Sequence, residues 1–244
     1  MDVRDDPGRD AGAYTSTLDK GTLHTTEGGS IAGAVAAFRQ HDSWPHKTCD
    51  YRKGRREVSR HLPLNRAARA LRNTGAAGET NRDGTLQYEI VGDAAHILEQ
   101  YDEADWIAFG HDVIGPDFRE CGIPLECHVT MPTYPPPNGE RLGQESTRLT
   151  RAQITKVVGL VGHCSWPENV HGDPGNLDAE TLLKYVHALV DPKPKPKPER
   201  VHAARVKVRE AVALLRATPE PRKGAHALAD ALDAVLADPQ YPKK

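Results

Sequence analysis

The 244-residue sequence has little net charge and no long apolar run. Its 32 basic residues nearly balance its 34 acidic residues, so we expect no strong attraction to nucleic acid or to an anionic membrane. No segment approaches the length of about 20 apolar residues that a membrane span requires. The charged N-terminal residues are followed by no apolar stretch of the signal-peptide kind. We therefore expect a protein that stays in the cytoplasm unless something releases it.

Cysteine and aromatic residues are also scarce. The four cysteines are Cys49, Cys121, Cys127 and Cys164, and no pair has the CxxC spacing of a structural zinc site. Cys121 and Cys127 are close enough in sequence to suggest a disulfide, but reduced cysteines are the favoured interpretation for a cytoplasmic protein. Because aromatic residues make up only 5% of the chain, we expect a core built mainly from Ala, Val, Leu and Ile.

Alternating strand and helix patterns predict an α/β fold, with a central mixed β-sheet flanked by helices. The strand patterns occupy residues 22–24, 58–64, 85–91 and 157–163. Ser30 is a suitable cap for a helix that begins at Ile31. Further helical patterns occupy residues 104–121 and 178–189, and residues 65–71 have the composition of a short helical turn.

Composition also divides the chain into four segments. Residues 1–20 are polar and rich in Gly and Asp, which predicts a loosely ordered arm. The α/β domain occupies residues 21–190, and the alternating Pro and Lys of residues 191–199 predict a stiff linker. Residues 200–244 carry two apolar helical stripes, which predict a small helical hairpin for cell-wall binding or self-association. A partly helical solubilising tail is the alternative for this last segment.

Two distant segments carry side chains suited to a divalent metal. His24 and His163 each end a predicted strand, and Asp173 follows in a loop that Pro174 and Gly175 restrict. Strands that end at one edge of a sheet would bring these ligands together. Two imidazoles and one carboxylate leave the fourth position of a tetrahedral zinc ion open for water. The pattern predicts a catalytic zinc site, although a single histidine is more often an ordinary surface or core residue.

The same segments resemble the zinc-dependent N-acetylmuramoyl-L-alanine amidases, which share their fold with the peptidoglycan recognition proteins. Residues 162–175 resemble the closing motif of that family, and residues 23–28 resemble its opening ligand segment. Residues 81–92 resemble its central strand. Residues 43–46 and 61–71 are similar to the variant found in actinobacterial and actinobacteriophage proteins. The resemblance covers about residues 21–190 and is looser between residues 93 and 155.

The resemblance implies a Zn²⁺ ion held by His24, His163 and Asp173. It implies that Glu89 orients or deprotonates the attacking water, and that His171 takes the place of a lysine that stabilises the oxyanion in many family members. From the residues alone, Glu89 is equally well explained as a half-exposed strand carboxylate. His171 has a similar alternative, as a loop histidine that only packs on the turn at residue 174.

The sequence departs from the family pattern at two other places. A tyrosine of some phage members has no clear counterpart here, and Pro45 occupies its approximate place. A family histidine before the Gly-rich loop is also replaced, with Arg69 nearby. These departures concern the surroundings of the metal site more than its ligands.

Three other residues near these motifs each have two interpretations. Glu27 either faces the site or places a charge at the start of the following helix, and the helix charge is favoured. His46 and His61 either line a substrate groove or are partly buried structural histidines, and the structural role is favoured.

The resemblance implies a peptidoglycan hydrolase that uses zinc-activated water to cleave the amide between N-acetylmuramic acid and L-alanine. The expected partner is peptidoglycan, bound through its glycan strand and stem peptide, and no nucleic acid or membrane partner is expected. A linker and an extra module without a signal peptide favour a phage or prophage endolysin that reaches the wall only after release. The alternatives are a non-catalytic peptidoglycan-binding module and a cytoplasmic amidase that recycles soluble muropeptides.

Overall fold

The computed structural model describes residues 1–71, 80–132, 147–168 and 171–190. The chain separates into two units, Met1–Val190 and Asp191–Lys244. The predicted linker and C-terminal hairpin, with the self-association assigned to it, lie outside the described residues. In the first unit six strands form one mixed sheet flanked by helices, which confirms the predicted α/β fold. None of the described helices is both long and apolar enough to span a membrane.

The sheet has the strand order β1-β4-β3-β5-β2-β6. Its strands are β1 (Asp2–Asp5), β2 (Lys20–Thr25), β3 (Lys47–Asp50), β4 (Glu57–Arg60), β5 (Thr85–Ile90) and β6 (Gly159–Gly162). All neighbouring strands are parallel except the antiparallel pair β3 and β4. Because β3, β5, β2 and β6 run in one direction, their carboxyl ends lie along one edge of the sheet.

Helices occur as predicted from Ile31, within residues 104–121 and near residues 178–189, together with two short helices that were not predicted. The helices are α1 (Ile31–His41), α2 (Ile97–Gln100), α3 (Glu103–Phe109), α4 (Gly115–Cys121), α5 (Arg151–Ile154) and α6 (Ala179–Val190). Short 3-10 turns lie at Arg52–Gly54, Thr80–Arg82 and His163–Ser165. Ser30 caps α1 as predicted, since its hydroxyl accepts the Gly33 N–H at 3.2 Å.

The long helix predicted over residues 104–121 contains a π-helical turn, Gly110–Ile114, which joins α3 to α4. This turn packs closely against α6. A Cβ atom at Gly110 would lie 2.6 Å from the Leu182 carbonyl oxygen, so only glycine fits there. The glycine that weakens the helical pattern in the sequence therefore allows the two helices to approach each other.

The two faces of the sheet differ in chemistry because side chains alternate along each strand. Leu23, Leu86 and Ile90 belong to the main apolar core, which also contains aromatic side chains of α3 and α4. The opposite face carries buried polar side chains, among them His24 and Glu89. Burial of polar groups is costly unless they are hydrogen-bonded or bind something.

Most of the polar face is satisfied internally. The indole N–H of Trp166 donates to the Thr22 hydroxyl at 2.9 Å. His46 accepts the Gln87 backbone N–H at Nδ1 (2.8 Å), so its Nε2 carries the proton. His61 bonds the Thr48 hydroxyl through Nε2 at 2.8 Å and is buried as well. These contacts give His46 and His61 the structural roles that the sequence favours.

The N-terminal segment differs from its prediction. Residues 1–20 were expected to be loosely ordered, but β1 pairs with β4 and the following backbone is hydrogen-bonded to the domain. The Gly8 N–H donates to the His61 carbonyl at 3.0 Å, and the Ala11 N–H donates to the Ala67 carbonyl at 2.8 Å. Gly- and Asp-rich composition describes local preference only, whereas these bonds depend on a strand partner distant in sequence.

Residues 65–71 are not helical either. The Ala67 N–H donates to the Gly12 carbonyl at 2.9 Å, and the Arg69 N–H donates to the Trp44 carbonyl at 2.7 Å. The Ala70 N–H donates to the Gln87 side-chain oxygen at 2.9 Å. Because these amides bond to neighbouring segments, they do not form helical bonds, and tertiary contacts override the helix-favouring composition.

Stability should depend on pH through His46. Burial lowers the pKa of His46 to about 4, below the ordinary value of about 6.5 for an unfolded chain. As the pH falls from 6.5 to 4, the unfolded chain gains a proton that the folded imidazole does not accept. The free energy of unfolding should therefore fall, by on the order of 3 kcal/mol from this residue. Urea unfolding at several pH values measures the effect.

His46→Asn keeps an acceptor for the Gln87 N–H and should remove this part of the pH dependence. His41→Asn changes an exposed histidine of α1 and serves as the matched control. Subtracting the curves of the variants from that of the wild type separates His46 from the other buried histidines. Identical pH dependence in His46→Asn and wild type would contradict the assignment.

Candidate metal centre

Three buried side chains converge where the parallel strands end. His24 lies in β2, His163 follows β6, and Asp173 lies in the loop that leads to α6. The register pairs Leu23 with Gly162, so the next residues of the two strands, His24 and His163, lie side by side. The sequence prediction that these three residues meet at one sheet edge agrees with this geometry.

Their ligand atoms form a compact triangle. His24 Nδ1 and His163 Nδ1 are 3.0 Å apart, and His163 Nδ1 is 3.0 Å from Asp173 Oδ2. The third side, from His24 Nδ1 to Asp173 Oδ2, is 3.5 Å. Ligand atoms of a tetrahedral zinc ion with bonds of about 2.0–2.1 Å are separated by about 3.3–3.4 Å. Two nitrogens and one oxygen at these separations fit a single Zn²⁺ ion.

The electrostatics of the triangle also suit a metal. Burial, reinforced by the neighbouring His163, lowers the pKa of His24 to about 4. Burial by itself would raise the pKa of Asp173, but His163 and His24 together hold that pKa well below its ordinary value. His24 is therefore neutral and Asp173 ionised at neutral pH, which are the protonation states that metal binding requires.

A tight turn places the Asp173 carboxylate. The Asp173 carbonyl accepts the Cys164 N–H at 2.9 Å, and the Gly175 N–H donates to the Gly172 carbonyl at 2.9 Å. Gly175 has φ +72°, and a Cβ there would lie 1.9 Å from the Ala94 carbonyl oxygen. Only glycine can occupy this position, because any other residue would push the Asp173 turn away from the sheet.

Glu89 lies beside the triangle, where the parallel register of β2 and β5 pairs it with His24. It is 8% exposed, so the half-exposed carboxylate that the strand pattern left open does not describe it. Among the described residues, its Oε2 has no hydrogen-bond partner. Burial, with the nearby Asp173 and Glu27 carboxylates, raises the pKa of Glu89 well above its ordinary value. A buried carboxyl group with an unused oxygen beside a metal site is suited to proton transfer.

The His171 side chain is exposed to solvent. Its ring stacks on that of His163, with centroids 5.0 Å apart and an angle of 16° between the planes. His171 is not part of the ligand triangle. Its exposed ring lies next to a candidate metal ligand.

Glu27 is the residue near the site that sequence reasoning placed wrongly. The favoured interpretation was a charge in the first turn of a helix, but α1 begins only at Ile31, after the Ser30 cap. Glu27 lies instead in the turn after β2, where its Oε1 accepts hydrogen bonds from Thr25 Oγ1 (2.6 Å) and from the Ala94 N–H (3.1 Å). The signal in the sequence was its spacing, three residues after His24 and directly before two glycines.

The four cysteines are free, and none of them belongs to the ligand triangle. Cys164 is fully buried next to His163. Burial raises the pKa of its thiol to about 11, so it stays protonated at neutral pH.

No protein-family model matches the chain, and no curated protein matches it. Similar solved structures include the Staphylococcus aureus hydrolase AmiA in complex with its ligand, at 11% identity over 78% of this chain and 86% of that chain (TM-score 0.46). A mutant endolysin from Bacillus subtilis is 24% identical over 51% of this chain and 80% of that chain (TM-score 0.35). The endolysin N-acetylmuramoyl-L-alanine amidase LysCS from Clostridium intestinale is 13% identical over 50% and 76%, respectively (TM-score 0.33). Because all of these TM-scores are below 0.5, the similarities do not assign the chain to a family.

Proposed function

We propose that this protein is a zinc-dependent peptidoglycan amidase that cleaves the bond between N-acetylmuramic acid and L-alanine of the stem peptide. The observation that supports this most directly is the buried triangle of His24, His163 and Asp173, whose ligand atoms all lie within 4.8 Å of one another. Three ligands with one open position are typical of a catalytic zinc site. The substrate class is supported by the resemblance of residues 23–28, 81–92 and 162–175 to the amidase motifs.

The residues around the triangle have separate parts in this reaction. A bound zinc ion supplies Lewis acidity, which polarises the amide carbonyl and lowers the pKa of water. Glu89 accepts a proton from the attacking water at its unused Oε2 and donates it to the departing alanine nitrogen. Its raised pKa suits this exchange, since the group has to hold the proton between the two transfers.

His171 is the proposed donor to the carbonyl oxygen on which negative charge develops. Its exposed ring is held against His163, so the donor is fixed beside the metal and remains open to the substrate. One such donor contributes about 3 kcal/mol to transition-state stabilisation in acyl-transfer enzymes. A histidine in this place performs the task that the resemblance assigns to lysine.

A phage or prophage endolysin is the proposed biological setting, with synthesis in the cytoplasm and action on the wall after release. The non-catalytic wall-binding module is less favoured, because a binding module does not need the ligand triangle together with a buried Glu89. The recycling amidase would act on soluble fragments and not on intact walls. An assay on intact walls therefore distinguishes it from an endolysin.

The proposal is tested by incubating the purified protein with purified cell walls and with soluble muropeptides. We expect stem peptides with a free N-terminal L-alanine to be released from the walls, activity to cease after chelation, and added Zn²⁺ to restore it. Wall binding without peptide release would instead identify a binding module. Cleavage of soluble muropeptides alone, with intact walls uncut, would identify a recycling enzyme.

A further inference from the structure

A circuit of contacts links the Asp173 carboxylate, Thr25, Glu27, Ala94 and Gly175, and Glu27 is its charged member without an assigned role in the proposed reaction. Thr25 supplies one half of the circuit. Its backbone N–H donates to Asp173 Oδ2 at 3.4 Å, and its hydroxyl donates to Glu27 Oε1 at 2.6 Å. One residue of β2 therefore bonds both to a proposed metal ligand and to Glu27.

The other half of the circuit runs through Ala94, which follows β5. The Ala94 N–H donates to the same Glu27 Oε1 at 3.1 Å. The Ala94 carbonyl oxygen in turn lies against Gly175, at the place where a Cβ would clash at 1.9 Å. Since Gly175 belongs to the turn that places Asp173, the Glu27 carboxylate connects the end of β2, the loop after β5 and the Asp173 turn.

The backbone of Glu27 indicates that its side chain is needed there. Glu27 has φ +47°, in the left-handed region that favours glycine and disfavours most other residues. Gly28 and Gly29 follow directly, so the turn is otherwise built from residues suited to such conformations. A glutamate at this φ is less stable than glycine by backbone conformation alone, and its two side-chain hydrogen bonds offset that cost.

We infer that Glu27 is a positioning residue for the metal centre, which fixes the Asp173 carboxylate by tying the Thr25 and Ala94 segments together. The inference rests on the zinc site of the proposed function and concerns metal affinity, so it is tested without substrate. Partners of this kind, one shell away from a metal, change metal affinity by about 10–100-fold when they are removed. In this assignment Glu27 influences the reacting groups only through its charge near Glu89, so it is a positioning residue and not a catalytic residue.

The test measures Zn²⁺ affinity by competition with a chelating dye, and thermal unfolding of the metal-free protein, for wild type and three variants. Glu27→Gly relieves the backbone conformation and removes the side chain, so we expect unchanged or higher stability with about 10–100-fold weaker Zn²⁺ binding. Glu27→Gln keeps an oxygen that can accept from both donors, so its Zn²⁺ affinity should fall by less than about fivefold. Asp93→Asn removes a neighbouring carboxylate charge outside the circuit, and its Zn²⁺ affinity should stay within about threefold of the wild-type value.

Each outcome decides the inference. Glu27→Gly that binds Zn²⁺ as tightly as wild type would overturn it. Equal losses in Glu27→Gln and Glu27→Gly would also overturn it, because they would assign the effect to charge instead of position. Weak binding in Glu27→Gly, restored in Glu27→Gln, would support it. If the wild-type protein binds no Zn²⁺, the proposed metal centre and the proposed function are both wrong. That result differs from normal Zn²⁺ binding by a Glu27 variant, which contradicts only the role of Glu27.

Discussion

Replacing Asp173 with alanine should eliminate zinc binding and reduce amide hydrolysis by at least roughly a thousandfold, since a catalytic metal contributes several kcal/mol to transition-state stabilisation. Asp173 supplies the only carboxylate of the ligand triangle in the described part of the chain, with Oδ2 at 3.0 and 3.5 Å from the two Nδ1 atoms. Without Asp173 the two imidazoles alone would hold the ion, and no negative charge would compensate it. Metal content per chain and the rate of stem-peptide release measure the two effects.

Two further variants keep this experiment decisive. Asp5→Ala removes an exposed carboxylate of β1, distant from the metal site in the sheet order, and should behave as wild type. Asp173→Cys supplies a thiolate, which is another zinc ligand, and should recover zinc binding if the fold has survived. Asp173→Ala protein that retains a full complement of zinc and normal activity would show that the metal centre has been wrongly assigned.

Replacing Glu89 with glutamine should leave zinc bound and lower kcat by about 10²–10⁴-fold, the usual contribution of a positioned acid or base. Glutamine has nearly the same shape but cannot take up the proton of the attacking water. The fold should tolerate the change, because Glu89 is buried and burial already disfavours its charged form. Metal content, thermal unfolding and single-turnover rates on one muropeptide separate these effects.

Glu57→Gln is the matched control for this variant, since Glu57 is an exposed strand glutamate of β4. It should retain wild-type turnover. His171→Ala provides a comparison within the site, with zinc retained and a loss of about 10²-fold, as expected for one oxyanion donor. Wild-type turnover in Glu89→Gln would remove this carboxylate from the mechanism.

The meeting of the three proposed metal ligands can be predicted from the sequence because their positions follow from strand ends. His24 and His163 each lie at the carboxyl end of a strand, and parallel strands bring such ends to one edge. The flanking Pro174 and Gly175 mark the turn that carries Asp173. Burial of Glu89 is harder to predict from sequence, since its strand pattern fits a half-exposed face until the register with β2 is known.

Other features depend on partners that no local pattern reveals. β1 exists because β4 offers an open edge, and residues 65–71 stay extended because their amides find acceptors in Gly12, Trp44 and Gln87. The role of Glu27 depends on where α1 begins. A start a few residues earlier would make Glu27 a helix charge, whereas the observed start at Ile31 leaves it in the preceding loop. Local preference is a weak guide wherever the hydrogen bonds are supplied from distant segments.

The imidazoles at 24 and 163 are 139 residues apart in sequence, which links ion capture to completion of the whole domain. An unfolded chain offers these donors separately, so it binds the ion far more weakly than the native state does. By mass action, a high concentration of free zinc would increase the free energy of unfolding, and a low concentration would not. In the proposed enzyme, the ion that activates water would thus also set how long an idle copy resists unfolding and proteolysis before it meets its substrate.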